Sequence, residues 1–165
     1  MAGEKLVKRC QKLAFYGVTE QDSTTYYRMT GFTEFSKSAN PKEYTRQYID
    51  EEHERNDVVG YSPSFSYEFD QFAENPVHLD IAAITDGEKT GQDAVRSILV
   101  VDLTQESAGS YAAVKRDFAV IPDAEGNSTD AYTYSGSMKS TGEKVIGTAT
   151  SEDGWKTATF TEGND

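Results

Sequence analysis

Residues 58–72 read VVGYSPSFSYEFDQF and carry the clearest periodicity in the chain. One parity holds aromatic residues, whereas the other holds mainly serines and acidic residues. The aromatic residues are Tyr61, Phe65, Tyr67 and Phe69. Because successive side chains of a strand point to opposite faces, this alternation predicts a strand with one buried face. Pro63 lacks an amide donor, so it predicts the beginning or an edge of that strand.

The periodicity changes directly after this strand. Asn75 is a good helix-capping residue, and Pro76 is of a type favoured at the first helical position. Three apolar residues then recur on one helical face, namely Val77, Ile81 and Ile84. Gly87 is placed to end the helix. The segment therefore predicts one short amphipathic helix over about 76–86.

The rest of the chain favours strands. The run SILVVDL at 97–103 is apolar at successive positions, which is typical of a central strand covered on both faces. Residues 131–162 hold three β-prone runs at the spacing of an antiparallel meander. We expect a single domain over residues 1–165, of the α+β class and mostly β. Its form would be an antiparallel sandwich or barrel with one flanking helix.

A polar segment of about 37–58 interrupts this pattern. Asn40-Pro41 marks a turn, and residues 50–57 are almost entirely charged or polar. The segment therefore predicts a long exposed loop. A long loop within a compact domain is often functional or ordered by a partner, although a merely mobile surface loop is the plain alternative.

The composition excludes some classes of function. The formal net charge is -12, from 28 acidic and 16 basic residues. Such a surface is unsuited to gripping nucleic acid or an anionic membrane through phosphate neutralisation, and solubility is the plain explanation of the acidity. No stretch approaches the roughly 20 apolar residues of a membrane span, so no membrane association is expected.

The ingredients of catalysis are scarce. The chain has one cysteine, Cys10, and two histidines, His53 and His78, and it lacks both a nucleophile elbow and a phosphate-cradling glycine motif. Acidic runs such as Asp50-Glu51-Glu52 are typical of solvated loops. We expect His78 to be an exposed helix residue. The sequence predicts no enzyme, no cofactor and no metal site.

Several short motifs occur in an order and spacing that resembles the major tail, or tail tube, proteins of long-tailed phages and prophages of Gram-positive bacteria. The motifs are Gly31-Phe32-Thr33-Glu34-Phe35-Ser36, Asn40-Pro41-Lys42-Glu43, Tyr48-Ile49-Asp50-Glu51, Val59-Gly60-Tyr61-Ser62-Pro63, Asp70 leading to Asn75-Pro76-Val77, Ile98 to Leu103, and Gly142-Glu143-Lys144-Val145-Ile146-Gly147. The resemblance covers most of the chain, with the first twenty-five residues matching least.

This resemblance implies a structural virion protein, made in the host cytoplasm, whose copies form hexameric rings with a shared barrel. Stacked rings would hold a tape-measure protein and then conduct DNA, without binding it specifically, through an acidic lumen. Tail terminator and distal tail proteins would be further partners. Our candidates for the contact between rings lie in the predicted loop. They are Asn40, Pro41, Tyr48, Asp50, Glu51 and Glu52.

Two alternatives remain open from the sequence. The tube of a contractile tail or injection system shares the ring architecture and differs in having a sheath partner. A carbohydrate-binding or adhesin β-sandwich belongs to a different class, in which Trp155, Tyr132 and Tyr134 would stack on sugar rings. Strand parity also leaves open which face would line the lumen.

Overall fold

A computed structural model describes residues 3–126 and 128–163. It contains one α-helix, two 3₁₀ turns and eleven strands within those residues. The helix is α1 (Pro76–Asp86), and the 3₁₀ turns are Arg9–Gln11 and Gly91–Ala94. The strands are β1 (Lys12–Glu20), β2 (Ser23–Arg28), β3 (Phe32–Ser38), β4 (Pro41–Arg46), β5 (Arg55–Tyr61), β6 (Ser64–Asp70), β7 (Val95–Ser107), β8 (Ser110–Glu125), β9 (Thr133–Ser140), β10 (Val145–Thr150) and β11 (Thr157–Glu162). The predicted mostly-β fold with one helix over 76–86 is confirmed.

Six antiparallel strands close into a barrel, in the order β8, β10, β11, β2, β1 and β7. Closure takes place where Val145–Ala149 of β10 pairs with Tyr111–Lys115 of β8. The second half of β8 leaves the barrel and pairs with β9 from Phe118 to Glu125. The sheet then continues through β6 to β3. We call the sheet of β3, β6, β9 and residues 120–125 of β8 the wing.

The central strands serve two cores, which explains their unbroken apolar sequence. In β7, Ile98 packs into a cluster that includes α1, whereas Leu99 and Val101 pack into the barrel. In β1, Tyr16 packs with the first cluster and Phe15 with the second. Both faces of these strands are therefore covered, and the prediction for residues 97–103 is confirmed.

The predicted long loop at 37–58 is wrong in detail. Strand β3 extends to Ser38, and β4 pairs with β5 in a separate two-stranded hairpin. Most positions of this hairpin are exposed on both faces. Because it buries neither face, its sequence shows no apolar alternation and resembles a loop. We call residues 41–61 the arm and residues 47–54, which join its strands, the arm tip.

Two further strand predictions need correction. The predicted strand at 58–72 is interrupted at Ser62 and Pro63, so that Tyr61 belongs to the arm and is 63% exposed. Pro63 does precede the first residue of β6, as predicted. The three C-terminal strands do not form one meander, because β9 pairs with β6 and β8, whereas β10 pairs with β11 and β8. Among the described residues, no helix is long and apolar enough to span a membrane.

Candidate assembly interfaces

The wing has one apolar and one polar face. Phe65, Tyr67 and Phe69 of β6 are buried against α1, which contributes Val77 and Ile81 to the same cluster. The residues between them are hydrophilic and face the other way, together with their cross-strand neighbours. This polar set is Glu34, Ser36, Ser66, Glu68, Ser135 and Ser137. The wing is therefore covered on one side and bare on the other.

The position of α1 on the wing depends on local capping. The side chain of Asn75 accepts hydrogen bonds from the backbone N–H groups of Val77 and His78 at 3.0 and 3.3 Å. It also donates to Thr30 Oγ1 at 3.1 Å, which joins the start of the helix to the segment before β3. The predicted cap is therefore present and also serves as a tertiary contact.

His78 is fully buried, and the prediction that it is exposed is wrong. Its ring stacks on Phe69 with 4.4 Å between centroids. Its Nδ1 accepts from the Phe72 N–H at 3.0 Å, and its Nε2–H donates to Thr30 O at 2.7 Å. Burial lowers the pKa of His78 below its ordinary value. Both ring nitrogens are thus occupied, and the residue is part of the core.

Both outer strands of the wing have an edge without a strand partner among the described residues. Strand β3 pairs only with β6. Strand β8 pairs with β7 as far as Ala119, so residues 120–125 pair only with β9. Pro122 lies in this part of β8, where its missing N–H is compatible with an edge. An open edge presents unpaired N–H and C=O groups that can pair with another strand.

The arm is anchored at its base and ordered along its length. Asn40 adopts a positive φ of 46° and donates from Nδ2 to Ser62 O and Ser64 Oγ at 3.1 and 3.0 Å. Near the tip, Arg46 forms an ion pair with Asp57 and donates from Nε to the Tyr48 hydroxyl at 2.8 Å. These contacts hold the hairpin in shape although it has no core of its own.

The arm exposes several large apolar and aromatic side chains. Ile49 at the tip is 108% exposed, and the others are about half-exposed or more. The others are Tyr44, Tyr48, Val58, Val59 and Tyr61. Single exposed apolar residues are common, but six on one two-stranded hairpin make the arm a candidate interaction surface.

Five of the six candidates for the ring-to-ring contact lie in this arm, and Asn40 directly precedes it. Asn40 and Pro41 are at its base, where Asn40 has a structural role. The other four belong to the tip, and Glu51 there pairs with Arg55. They are Tyr48, Asp50, Glu51 and Glu52. Sequence reasoning omitted Ile49, although an isoleucine within a charged run was a signal that could have identified it.

The aromatic residues predicted for sugar stacking do not form a platform. Tyr134 is buried, and burial raises its pKa to about 12. Trp155 packs at the barrel against Phe15 and Tyr111, with ring centroids 6.0 and 5.4 Å away. Only Tyr132 is half-exposed, and its hydroxyl donates to Glu125. Because it is buried, Tyr134 is not available for the stacking on a sugar ring that the adhesin alternative requires.

Two buried tyrosine hydroxyls differ in their hydrogen bonding. The Tyr16 hydroxyl donates to Asp80, which also pairs with Arg96 at 2.8 Å between the helix and the barrel. The Tyr67 hydroxyl is buried without a hydrogen-bond partner in the described structure. Residues 3–126 and 128–163 contain no group of three or more His, Cys, Asp or Glu side chains suited to a metal ion.

The fold defined by this geometry is a small barrel extended by a four-stranded wing and by an arm that pairs with no other strand of the described residues. No protein-family profile matches the chain, and no curated protein matches its sequence.

Among the solved structures that resemble the fold are two from one phage-like particle. One is the baseplate of the anti-feeding prophage, 6-fold symmetrised, at 8% identity and a TM-score of 0.49, covering 88% of this chain and 97% of that chain. The other is the anti-feeding prophage cap that terminates its tube, at 16% identity and a TM-score of 0.47, covering 90% and 95% of the two chains. At these TM-scores the likeness carries no conclusion about function.

Proposed function

We propose that the chain is the tube subunit of a phage tail, of the long-tailed kind that its sequence motifs resemble, and that its role is structural rather than catalytic. The observation that carries this proposal is the wing, which combines two open edges with one bare polar face. The finer features proposed here are closed rings, hexameric as the resemblance implies, that stack into a conduit for DNA.

The two open edges belong to different strands, and this favours a closed ring. Pairing β3 of one copy with residues 120–125 of the next is a head-to-tail contact that each added copy can repeat. Such heterologous contacts close into a ring when the rotation per copy permits. Closure would pair both open edges of the wing and remove the aggregation hazard that these edges present to a monomer.

The position of α1 supports an inward orientation of the polar face of the wing. The helix α1 lies on the apolar face of the wing together with its core cluster. In a closed ring, α1 and its core cluster have room only on the outer side of the wings, where the circumference is larger. The polar face, with Glu34 and Glu68 beside small serine side chains, is left to line the bore.

A bore with this surface is suited to conducting DNA without retaining it. Carboxylates repel phosphates, and short serine side chains leave a smooth wall. The net charge of -12 supports the same role. A tape-measure protein would occupy the bore during assembly, and tail terminator and distal tail proteins would cap the ends.

The test is to follow assembly with and without a competitor for the open edge. Purified protein across a range of concentration and salt is examined by negative-stain electron microscopy and light scattering, and we expect rings or tubes with a central hole. A peptide with the sequence of residues 31–38, added in excess, is expected to pair with residues 120–125 and reduce ring formation. A scrambled peptide of the same composition is the control.

Two outcomes would overturn the proposal. One is a particle that stays monomeric under every condition, including in the presence of tape-measure or tail-tip proteins. The other is a ring that the residue 31–38 peptide and its scrambled control affect equally, because such a ring would not depend on the wing edge.

The orientation of the wing has its own test. In tubes assembled from the Glu34→Lys, Glu68→Lys double variant, the bore would carry positive charge and retain short duplex DNA. Wild-type tubes and a Glu20→Lys, Asp22→Lys variant, altered at the exposed turn between β1 and β2, should retain none. Equal retention by both variants would place Glu34 and Glu68 outside the bore.

A further inference from the structure

We infer that the arm tip of one copy docks on the basic segment of another copy, defined as residues 5–12, and that this contact joins successive rings. This inference rests on the proposed function, because it names the surface that receives the arm. The observation behind it is that two exposed segments of one chain have opposite charge and that each carries an exposed aliphatic side chain.

The two most exposed large apolar side chains of the described structure lie on these two segments. Ile49 at the arm tip is 108% exposed, and Leu6 in the basic segment is 94% exposed. Val7 beside Leu6 is also more than half-exposed. Burying such side chains against each other gains about 25 cal/mol per Å² of apolar surface removed from water. Each segment therefore has an apolar side chain that the isolated subunit does not bury.

The charges of the two segments are complementary. The arm tip contains four carboxylates, and only that of Glu51 forms an ion pair within the described residues. The basic segment contains four cationic side chains and no carboxylate. The cations are Lys5, Lys8, Arg9 and Lys12. In a chain of net charge -12, this segment is unusual in its positive charge and is the natural acceptor of an acidic partner.

Both segments are accessible from outside the subunit. Residues 3–10 are exposed throughout, and the arm is exposed on both faces of its hairpin. Strand β4 alone has six residues and spans about 20 Å, so the tip is held well away from the base at Asn40. This reach suits a contact between copies.

The first test exchanges the charges. The double variant Asp50→Lys, Glu52→Lys reverses two charges on the arm tip. The double variant Lys5→Glu, Lys8→Glu reverses two charges on the basic segment. Each is expected to shorten tubes to single rings or short stacks and to weaken association at least tenfold, as measured by sedimentation velocity. The four changes combined should restore tube length. Glu20→Lys, Asp22→Lys, with the same charge change in the turn between β1 and β2, should leave assembly unaltered.

The second test uses the single cysteine of the chain. Cys10 is exposed within the basic segment, so Ile49→Cys should form an intermolecular disulfide with it under mild oxidation. The dimer should contain the peptides of residues 49 and 10 on mass spectrometry. Asp22→Cys, also exposed, is the matched control and should not cross-link to Cys10.

The outcomes separate this inference from the proposed function. The docking contact would be overturned if the wild-type protein forms tubes but the combined charge variant does not restore tube length. Equal cross-linking of the two cysteine variants would also overturn it. In both cases the proposed tube function would stand. A wild-type protein that forms no rings or tubes would overturn both.

Discussion

Glu34 on β3 and Glu68 on β6 lie directly opposite each other in the antiparallel register of the wing, so their carboxylates share one face. Directly opposed like charges destabilise a sheet. The isolated subunit therefore carries an electrostatic cost on the face that we assign to the bore, where negative charge toward DNA would be useful.

Neutralising either member of this pair should stabilise the isolated subunit. We expect Glu34→Gln or Glu68→Gln to raise the free energy of unfolding by about 0.5 kcal/mol at low salt, because the repulsion is removed. The gain should shrink at high salt through screening. Urea denaturation of dilute monomer measures it, with Glu20→Gln, opposite the neutral Ser23, as control. If Glu20→Gln raised the free energy of unfolding as much as Glu34→Gln or Glu68→Gln at both salt concentrations, repulsion between Glu34 and Glu68 would not be the cause.

Two strand glycines should not tolerate a methyl group. A Cβ at Gly136 would lie 2.4 Å from Ile121 O, and one at Gly147 would lie 2.1 Å from Thr161 O. Because both oxygens belong to backbone, relief requires movement of a neighbouring strand. We expect Gly136→Ala and Gly147→Ala each to lower the free energy of unfolding by about 1–3 kcal/mol.

The matched control for these glycines is Gly60→Ala on β5, where a Cβ would meet nothing within 4 Å. This variant should keep wild-type stability in thermal or urea denaturation. A loss as large at Gly60 as at Gly136 would mean that steric overlap with the neighbouring backbone is not the cause of the effect.

Removal of each of two buried tyrosine hydroxyls should change the free energy of unfolding in opposite directions. The Tyr67 hydroxyl is buried without a partner in the described structure, so Tyr67→Phe should raise the free energy of unfolding by about 1 kcal/mol. The Tyr16 hydroxyl donates to Asp80, so Tyr16→Phe should lower it by about 1–2 kcal/mol. Paired urea denaturation curves measure the difference. Loss of stability in both variants would show that Tyr67 has a partner after all.

The stability of the subunit should depend on the protonation of His78. Because burial lowers the folded-state pKa of His78 below the ordinary 6.5, the unfolded chain binds the proton more readily. The contribution of neutral His78 to the free energy of unfolding is complete above about pH 6.5, and it is lost as the pH falls through the folded-state pKa. We expect the free energy of unfolding to decline between pH 7.5 and 5.5 more steeply in wild type than in His78→Gln.

His53→Gln is the control for this pH dependence, since His53 is exposed at the arm tip. It should retain the wild-type slope of stability against pH. If His78→Gln also retains that slope, the titration belongs to other groups and the assignment to His78 is wrong.

The sequence by itself determined the parts of this protein whose signals are local. Asn75 caps α1 through N–H groups two and three residues away, so the start of the helix is encoded within one turn. The alternation of Phe65, Tyr67 and Phe69 encodes a strand with one buried face. The run from Ile98 to Leu103 encodes a strand between two cores, because each face of the strand packs apolar side chains into a different cluster.

Only the tertiary structure decided the features that depend on distant partners. His78 is buried because Thr30 and Phe72 meet both of its ring nitrogens. The sequence did not predict the hairpin of the arm, because strands that bury neither face show no alternation of apolar and polar residues. The open edge at residues 120–125 exists because β7 begins opposite Ala119, a register set by long-range pairing. Such features follow from where separate segments of the chain meet, and no local pattern of residue types specifies that meeting.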